Sequence, residues 1–204
     1  MPNIVWSYAV FSGSADAIAA IKATNFNFRQ LHPCPYDESD DRWYEWRVAH
    51  WGCKWSASEV RIRDGDEAGS LVVTFDTPWH PPFGLLAYLT QTYPGLRVVL
   101  DFNEEFDETA GQIVFANGRM TGEYVRPTLC KPSVLRVAAL SRPWLNADVI
   151  LSNTEAQGGD LEALDYLPEL SDTLPSVTVD ASYSEFVAMM EKAVAAVAVD
   201  MDED

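Results

Sequence analysis

Hydrophobic and polar residues alternate along several short segments of the first 125 positions. Residues 4–10, 60–63 and 71–75 show this period of two, and residues 96–108 begin with a further apolar segment that continues into an acidic loop. Each of these patterns predicts a β-strand. Asn117-Gly118 separates two more alternating segments, which predicts a β-hairpin with a type I′ turn. The first 125 residues are therefore expected to form a β-sheet.

A period of three to four residues marks three helices among these strands. The first helix follows Ser14, a residue type that caps helix N-termini, and the third follows a pair of prolines. The second helix begins at Asp40 or Asp41, ends before Gly52, and carries aromatic residues on two neighbouring faces. Because its aromatic arc is so wide, this helix is expected to be buried on much of its surface.

Without the aromatic helix, the order of elements is β-α-β-β-α-β, the split arrangement of ferredoxin-like folds. We therefore predict an α+β fold in which residues 1–125 form a ferredoxin-like domain with an extra aromatic helix and an added β-hairpin. Residues 126–204 are predicted to be a mostly helical C-terminal extension packed on that domain. An amphipathic helix at 182–199, with Ser182 and Glu185 as its capping box, precedes an acidic tail.

The charge of the chain restricts its partners. The 204 residues include 31 acidic and 14 basic side chains, for a net charge of −17. Such a surface repels nucleic acid and anionic membranes, so direct binding to either is not expected. It attracts a basic partner, such as a protein that itself binds nucleic acid. The alternative is that the acidic surface serves only solubility.

The acidic residues are concentrated in short stretches within 37–41, 64–67, 101–108 and 200–204. These stretches are candidate contacts for a basic partner. The candidate acidic surface consists of Asp37, Glu38, Asp40, Asp41, Asp64, Asp66, Glu67, Glu104, Glu105, Asp107 and Glu108.

Cysteine usage and hydropathy indicate a compartment. Cys34, Cys53 and Cys130 are few and odd in number, which favours free thiols in a reducing cytoplasm. No apolar segment approaches the roughly 20 residues of a membrane helix. The N-terminal segment has a strand pattern rather than that of a signal peptide. We therefore expect a cytoplasmic protein; its oligomeric state is left open.

Reactive residue types gather in the stretch RVAHWGCKWSA, residues 47–57. His32, Cys34, His50 and Cys53 are residue types that bind zinc. Cys53 with His50, or Cys34 with His80, could form a cysteine–histidine dyad. His32 and Cys34 are separated only by Pro33 and followed by Pro35, a cramped arrangement for zinc ligands. The sequence also contains no nucleophile motif and no phosphate-binding glycine loop. No catalytic residue, metal or cofactor is therefore predicted, and the cysteines are expected to be small buried thiols.

The tryptophans of this region allow two interpretations. They can fill the core, as large aromatic residues usually do. Alternatively, Trp51, Lys54, Trp55 and Trp79, with His80 beside them, can line a pocket for a nucleotide-like ligand. In both cases Gly52 should turn the chain after the aromatic helix, and the tryptophans should meet the Trp79-Pro-Pro segment at the sheet edge.

Two blocks of sequence carry a resemblance to a known family. HWGCKW at 50–55, followed by VTFDTPWHPP at 73–82 and an amphipathic helix, resembles the YubB-type ferredoxin-like family of phages and conjugative plasmids. The resemblance covers roughly residues 4–125 and departs from the family pattern at His50 and Cys53, which weakens a metal or catalytic role. It implies a ferredoxin-like fold and a mobile-element origin, but no activity. The matching residues are Trp51, Gly52, Lys54, Trp55, Phe75, Thr77, Trp79, Pro81 and Pro82.

The expected function is that of a non-enzymatic accessory protein encoded by a phage or plasmid. It would bind a basic host protein, in its sharpest form as an acidic nucleic-acid mimic that inhibits a defence or nucleic-acid-handling protein. The first alternative is binding or processing of a small ligand in the tryptophan pocket. The second alternative is a structural protein of the virion.

Overall fold

A computed structural model describes residues 3–104, 110–125 and 176–189. Within these ranges no helix is long and apolar enough to cross a bilayer. A helical segment also covers residues 183–189. The strands are β1 (Ile4–Ser12), β2 (Ser58–Asp64), β3 (Leu71–Pro78), β4 (Arg97–Glu104), β5 (Ala110–Ala116), β6 (Arg119–Val125) and β7 (Ser176–Ser182). The helices are α1 (Ala15–Thr24), α2 (Phe28–Leu31), α3 (Arg42–Trp51) and α4 (Phe83–Thr92).

The strands form one antiparallel sheet in the order β2-β3-β1-β4-β5-β6-β7. β1 lies between β3 and β4, and β2 pairs with the outer side of β3. This arrangement of the first four strands, with α1 and α4 as connections, is the predicted ferredoxin-like one, so the α+β fold is confirmed. The hairpin at Asn117-Gly118 is also confirmed, since both residues have the positive φ that a type I′ turn requires.

One face of the sheet and the helices enclose the core. Val5, Ala9 and Phe11 alternate along β1 with partly exposed residues, and all three are fully buried. Phe11 contacts Phe26, with ring centroids 5.6 Å apart, and Phe26 contacts Phe28 at 5.2 Å. This line of rings ends at Trp51, the last residue of α3, so the core extends from the central strand to the inserted helix.

The strand β7 corrects the prediction of a mostly helical extension. It pairs with β6 over residues 176–182, although sequence analysis assigned no strand there. The signal was present, because Val177, Val179 and Ala181 alternate with polar residues. The rest of the predicted extension lies outside the described residues, as does the predicted helix beyond residue 189.

The capping box at the start of the last helix is confirmed. The Ser182 N–H donates to Glu185 Oε2 at 2.7 Å, and the Glu185 N–H donates back to Ser182 Oγ at 3.4 Å. These reciprocal bonds satisfy two N–H groups that a helix start leaves without partners. The helix therefore begins directly after β7, at residue 183.

The aromatic helix is exposed over more of its surface than predicted. Only Arg47 and Trp51 of α3 are buried, so the expectation of burial over a wide arc is wrong. Asp41 is at the N-cap position but makes no side-chain cap bond, whereas Asp40 Oδ1 accepts from the Arg42 N–H at 3.0 Å. At the other end Gly52 has a φ of +92°, and its N–H donates to the Val48 carbonyl oxygen. Gly52 therefore turns the chain, as predicted.

The helices α3 and α4 lie in close contact at Gly84. A Cβ atom at this position would lie 2.6 Å from the backbone oxygen of His50. The absence of a side chain therefore permits the contact that holds the end of α3 in place.

Replacing Gly84 with alanine should destabilise the protein, although alanine is the better helix former by about 1 kcal/mol. We expect a loss of about 1–3 kcal/mol in the free energy of unfolding, since the added methyl group forces the helices apart. Chemical denaturation measures this value. Thr92→Ala, exposed at the end of the same helix, is the control and should leave stability unchanged or slightly raised. An equal gain in both variants would contradict the close contact.

Asp101 is not part of an exposed acidic surface, contrary to its place in the predicted stretch 101–108. Its side chain lies on the sheet face opposite the core helices, and the residue is only 5% exposed. Gln112 Nε2, on the neighbouring strand, donates to Asp101 Oδ1 at 2.8 Å. Burial raises the pKa of Asp101 to about 7, because removing water penalises the charged carboxylate more than this hydrogen bond favours it.

Asp101 should therefore make stability depend on pH. A carboxyl group with a raised folded pKa contributes stability below its unfolded pKa of 3.8, and this contribution is lost as the pH rises to about 7. Relative to Asp101→Asn, the wild type should lose on the order of 2–4 kcal/mol between about pH 4 and pH 7.5. Urea denaturation across this range measures the difference.

Asp40→Asn provides the control: its pH dependence has the opposite sign and lies below about pH 4, so relative to this variant the wild type should stay constant between about pH 4 and pH 7.5. The Arg42 guanidinium lowers the pKa of Asp40 to about 2, so its contribution is present above 3.8 and is lost toward about pH 2. A wild-type pH profile parallel to that of Asp101→Asn between about pH 4 and pH 7.5 would contradict the raised pKa.

Candidate binding site: an aromatic cluster around Lys54

Trp51 anchors the segment that carries the candidate site. Its side chain is fully buried, and its indole Nε1 donates to the His32 carbonyl oxygen at 2.9 Å. Trp51 therefore belongs to the core and takes no part in a ligand pocket, which corrects one of its two interpretations. Pro81 and Pro82 are also buried, at the start of α4.

After the buried Cys53 the chain returns to the surface, where Lys54 lies among aromatic rings. The Lys54 Nζ atom lies 4.5 Å from the centroid of Trp55 and 5.5 Å from that of Tyr44. It lies 5.7 Å from the centroid of Trp79 and 5.8 Å from that of Trp43. All four distances are within the range of cation–π attraction. We call Trp43, Tyr44, Lys54, Trp55 and Trp79 the Lys54 cluster.

The predicted contact with the Trp79 segment is confirmed for Trp55. Trp55 and Trp79 stack with their ring centroids 5.7 Å apart and their planes at 29°. Much of the cluster nevertheless faces solvent, since Tyr44, Trp55 and Trp79 are 46%, 42% and 38% exposed. Exposed aromatic side chains that form a contiguous group are typical of interaction surfaces, whereas single exposed apolar residues occur on any protein surface.

Trp79 has an unusual backbone conformation. Its φ is +63°, in the left-handed region that costs a residue with a Cβ roughly 1–2 kcal/mol. Two hydrogen bonds hold this conformation. The Trp79 N–H donates to the backbone carbonyl oxygen of Asn3 at 2.8 Å, and Thr77 Oγ1 donates to the backbone carbonyl oxygen of His80 at 2.9 Å. Backbone strain of this kind concentrates at functional sites.

The reactive residue types of the same region have structural environments. The His50 ring stacks on Trp46 at 4.2 Å, and its Nδ1 lies 2.8 Å from the Trp46 oxygen. Cys53 is buried, its thiol donates to the Trp55 oxygen, and burial raises its pKa. A thiol held in its protonated form is a poor nucleophile and metal ligand. Within the described ranges, no group of three or more potential metal ligands occurs.

His32 and Cys34 also have surroundings that do not resemble a metal site or a catalytic dyad. The His32 ring contacts Tyr88 edge to face, with centroids 3.6 Å apart. Its pKa is lowered, mainly because burial disfavours the charged imidazolium and secondarily because His50 is near. His32 is therefore held neutral within an aromatic stack, and Cys34 is half-buried with a free thiol.

Several residues of the predicted acidic surface form ion pairs with basic side chains of the same chain. Glu38 pairs with Arg29, Asp40 with Arg42, Asp64 with Lys22 and Asp66 with Arg63. Asp37 accepts hydrogen bonds from Ser39, while Asp41 and Glu67 are exposed. Glu104 is only 4% exposed and accepts from Asn3 Nδ2 at 2.7 Å, so its place on an exposed surface is wrong. Glu105, Asp107, Glu108 and residues 200–204 lie outside the described residues.

A comparison with known protein families supports the ferredoxin-like fold of residues 50–128. Residues 50–128 match the family described as "Ferredoxin-like domain in Api92-like protein". This segment is similar to Api92-like proteins. The match begins at His50 and includes Lys54, Trp55 and Trp79, three of the five residues of the cluster. The family match therefore names Api92-like proteins, and the YubB-type resemblance is confirmed only in its ferredoxin-like fold.

One solved structure is also similar to part of the chain, the crystal structure of a protein api92 from Yersinia pseudotuberculosis. The identity is 19% and the TM-score is 0.33. The match covers 37% of this chain and 27% of the other, so it spans about a quarter of that protein. A search of curated proteins finds no significant match.

The positive φ of Trp79 predicts that glycine is less destabilising than alanine at this position, the reverse of the usual order. Glycine adopts a φ of +63° without a Cβ clash, so Trp79→Gly should be more stable than Trp79→Ala by about 1 kcal/mol. Both variants lose the stacking on Trp55, which cancels in the comparison. Thermal unfolding measures the difference. At Trp55, which has no positive φ, the alanine variant should be at least as stable as the glycine variant.

Proposed function

We propose that this protein is a non-catalytic binding protein that contacts a protein partner through the Lys54 cluster. The observation that carries the proposal is the exposure of Tyr44, Trp55 and Trp79 around one lysine. Tryptophan and tyrosine dominate the binding energy of protein interfaces when they form such a group. A single exposed ring would have little meaning, but three adjoining ones form a contact area.

The cluster is also rigid enough to bind with a small entropic cost. Trp55 and Trp79 are stacked on each other, and the backbone of Trp79 is held by hydrogen bonds. Trp51 and Gly52 fix the other end of the segment in the core. Side chains ordered before binding lose less conformational freedom when a partner arrives, which favours affinity.

In its finer form, the proposal concerns a phage- or plasmid-encoded accessory protein in the bacterial cytoplasm. Its partner would be a basic, nucleic-acid-handling host protein, since the net charge of −17 attracts such a surface over long range. The internal ion pairs of Glu38, Asp40 and Asp64 reduce the number of carboxylates that can imitate phosphates. We therefore assign the short-range contact to the aromatic cluster and the long-range attraction to the charge.

A nucleotide-like ligand is the second candidate, because one observation favours it specifically. Stacked indole rings beside an ammonium group are suited to a planar base and its phosphate. Trp51, which belonged to this hypothesis, is excluded by its burial. The candidate therefore depends on Lys54, Trp55 and Trp79.

The decisive experiment compares a double variant with a matched control. A photo-crosslinking residue at position 44 in bacterial host lysate should capture a partner, which mass spectrometry identifies. Trp55→Ala/Trp79→Ala should then weaken binding of the purified partner at least about tenfold, or 1.4 kcal/mol. Met189→Ala, an equally exposed apolar side chain outside the cluster, should change it less than about twofold.

Unchanged affinity of the double variant would contradict the proposal. In that event a nucleotide panel tests the second candidate by thermal unfolding. A ligand that raises the melting temperature of the wild type but not of the double variant supports it.

A further inference from the structure

Arg47 is an ionised side chain with few acceptors in the interior. Its side chain is only 3% exposed, and its guanidinium lies over Trp43 at 4.5 Å and near Trp51 at 5.2 Å. Among the described residues, one contact to a charged oxygen is present: Nη2 lies 3.5 Å from Oε1 of Glu38. Within the part of the chain that the structure describes, its Nε and Nη1 atoms are buried without a hydrogen-bond partner. Buried guanidinium groups normally have such partners, because an unpaired buried charge is costly.

A pocket of about 170 Å³ adjoins this guanidinium. Arg29 of α2 and Arg47 of α3 line it from two helices, and the loop between them supplies Cys34, Tyr36 and Glu38. Arg29 contacts the same carboxylate oxygen of Glu38 that Arg47 approaches. Two guanidinium groups from different helices therefore converge on one point at the wall of the pocket.

Glu38 fills this point only partly. Its side chain is 60% exposed on a loop, and a single oxygen serves both arginines. Arg29 holds the pKa of Glu38 below its usual range, so the carboxylate is ionised at neutral pH. The contact to Arg47 involves neither Nε nor Nη1, the donors that complete the two bidentate edges of the guanidinium. A tetrahedral oxyanion, with several oxygens, can serve these donors and Arg29 together.

We propose that Arg29 and Arg47 form a binding site for a phosphate group, and that Glu38 occupies this site as an internal competitor in the unliganded protein. The ligand displaces the Glu38 carboxylate and takes up the free donors of Arg47. The two arginines are not part of the Lys54 cluster, but Trp43 of that cluster contacts one of them: its ring lies 4.5 Å from the Arg47 guanidinium and 5.8 Å from Lys54 Nζ. The proposal holds whether or not the Lys54 cluster binds a protein.

The position of Trp43 and Trp51 beside Arg47 gives a direct signal for binding. Inorganic phosphate is the probe, added against chloride at constant ionic strength, and tryptophan fluorescence and the melting temperature are recorded together. Glu38→Gln removes the competing charge and should bind phosphate about tenfold more tightly than the wild type. Arg29→Gln should bind it at least about fivefold more weakly. Arg29 is half-exposed, so its loss should leave the fold intact.

Two controls separate this site from general electrostatics. Asp64→Asn makes the same change in net charge at a residue paired with Lys22, and should bind phosphate like the wild type. Acetate, a carboxylate with two oxygens, should bind Glu38→Gln more weakly than phosphate does. The proposal is overturned if Glu38→Gln shows no saturable phosphate binding, if Asp64→Asn gains as much affinity, or if acetate binds as tightly as phosphate.

Discussion

The burial of Trp51 is the interaction on which both the Lys54 cluster and the arginine site around Arg47 depend. Its ring lies at the end of α3, contacts Phe28 in the core, and is fixed by the hydrogen bond from its indole to the His32 oxygen. Because α3 is anchored there, Gly52 turns the chain at a defined point and Lys54 emerges among the rings of Trp43, Tyr44, Trp55 and Trp79. The same anchor places a ring beside Arg47.

The net charge of the molecule does not show how its charged side chains are distributed. A net charge of −17 describes a repulsive surface, yet three of the described arginines, Arg29, Arg42 and Arg47, lie around the loop that carries Glu38 and Asp40. Their pairing lowers the pKa values of both carboxyl groups. Asp101 shows the reverse, since burial raises its pKa to about 7. Local contacts, rather than the total charge, therefore decide how each carboxylate behaves.

Local patterns predicted the elements whose stability is local. Asn117-Gly118 specifies its turn because few other pairs adopt two successive positive φ values, and Ser182 with Glu185 specifies a capping box over three residues. The strand β7 was missed because a seven-residue alternation is weak evidence until a partner strand is known. The burial of α3 was overestimated because aromatic residues suit an exposed cluster as well as a core, and periodicity does not distinguish the two.

By itself, the sequence determined the ferredoxin-like order of strands and helices, the turn at Gly52, and the meeting of Trp55 with the Trp79 segment. These features follow from short-range spacing and from chain connectivity. Only the tertiary structure decided that Trp51 is core while Trp55 and Trp79 face solvent, that Glu104 is buried, and that Arg47 lies inside beside a pocket. Exposure and ion pairing depend on which distant residues pack against a side chain, and a linear pattern does not contain that information.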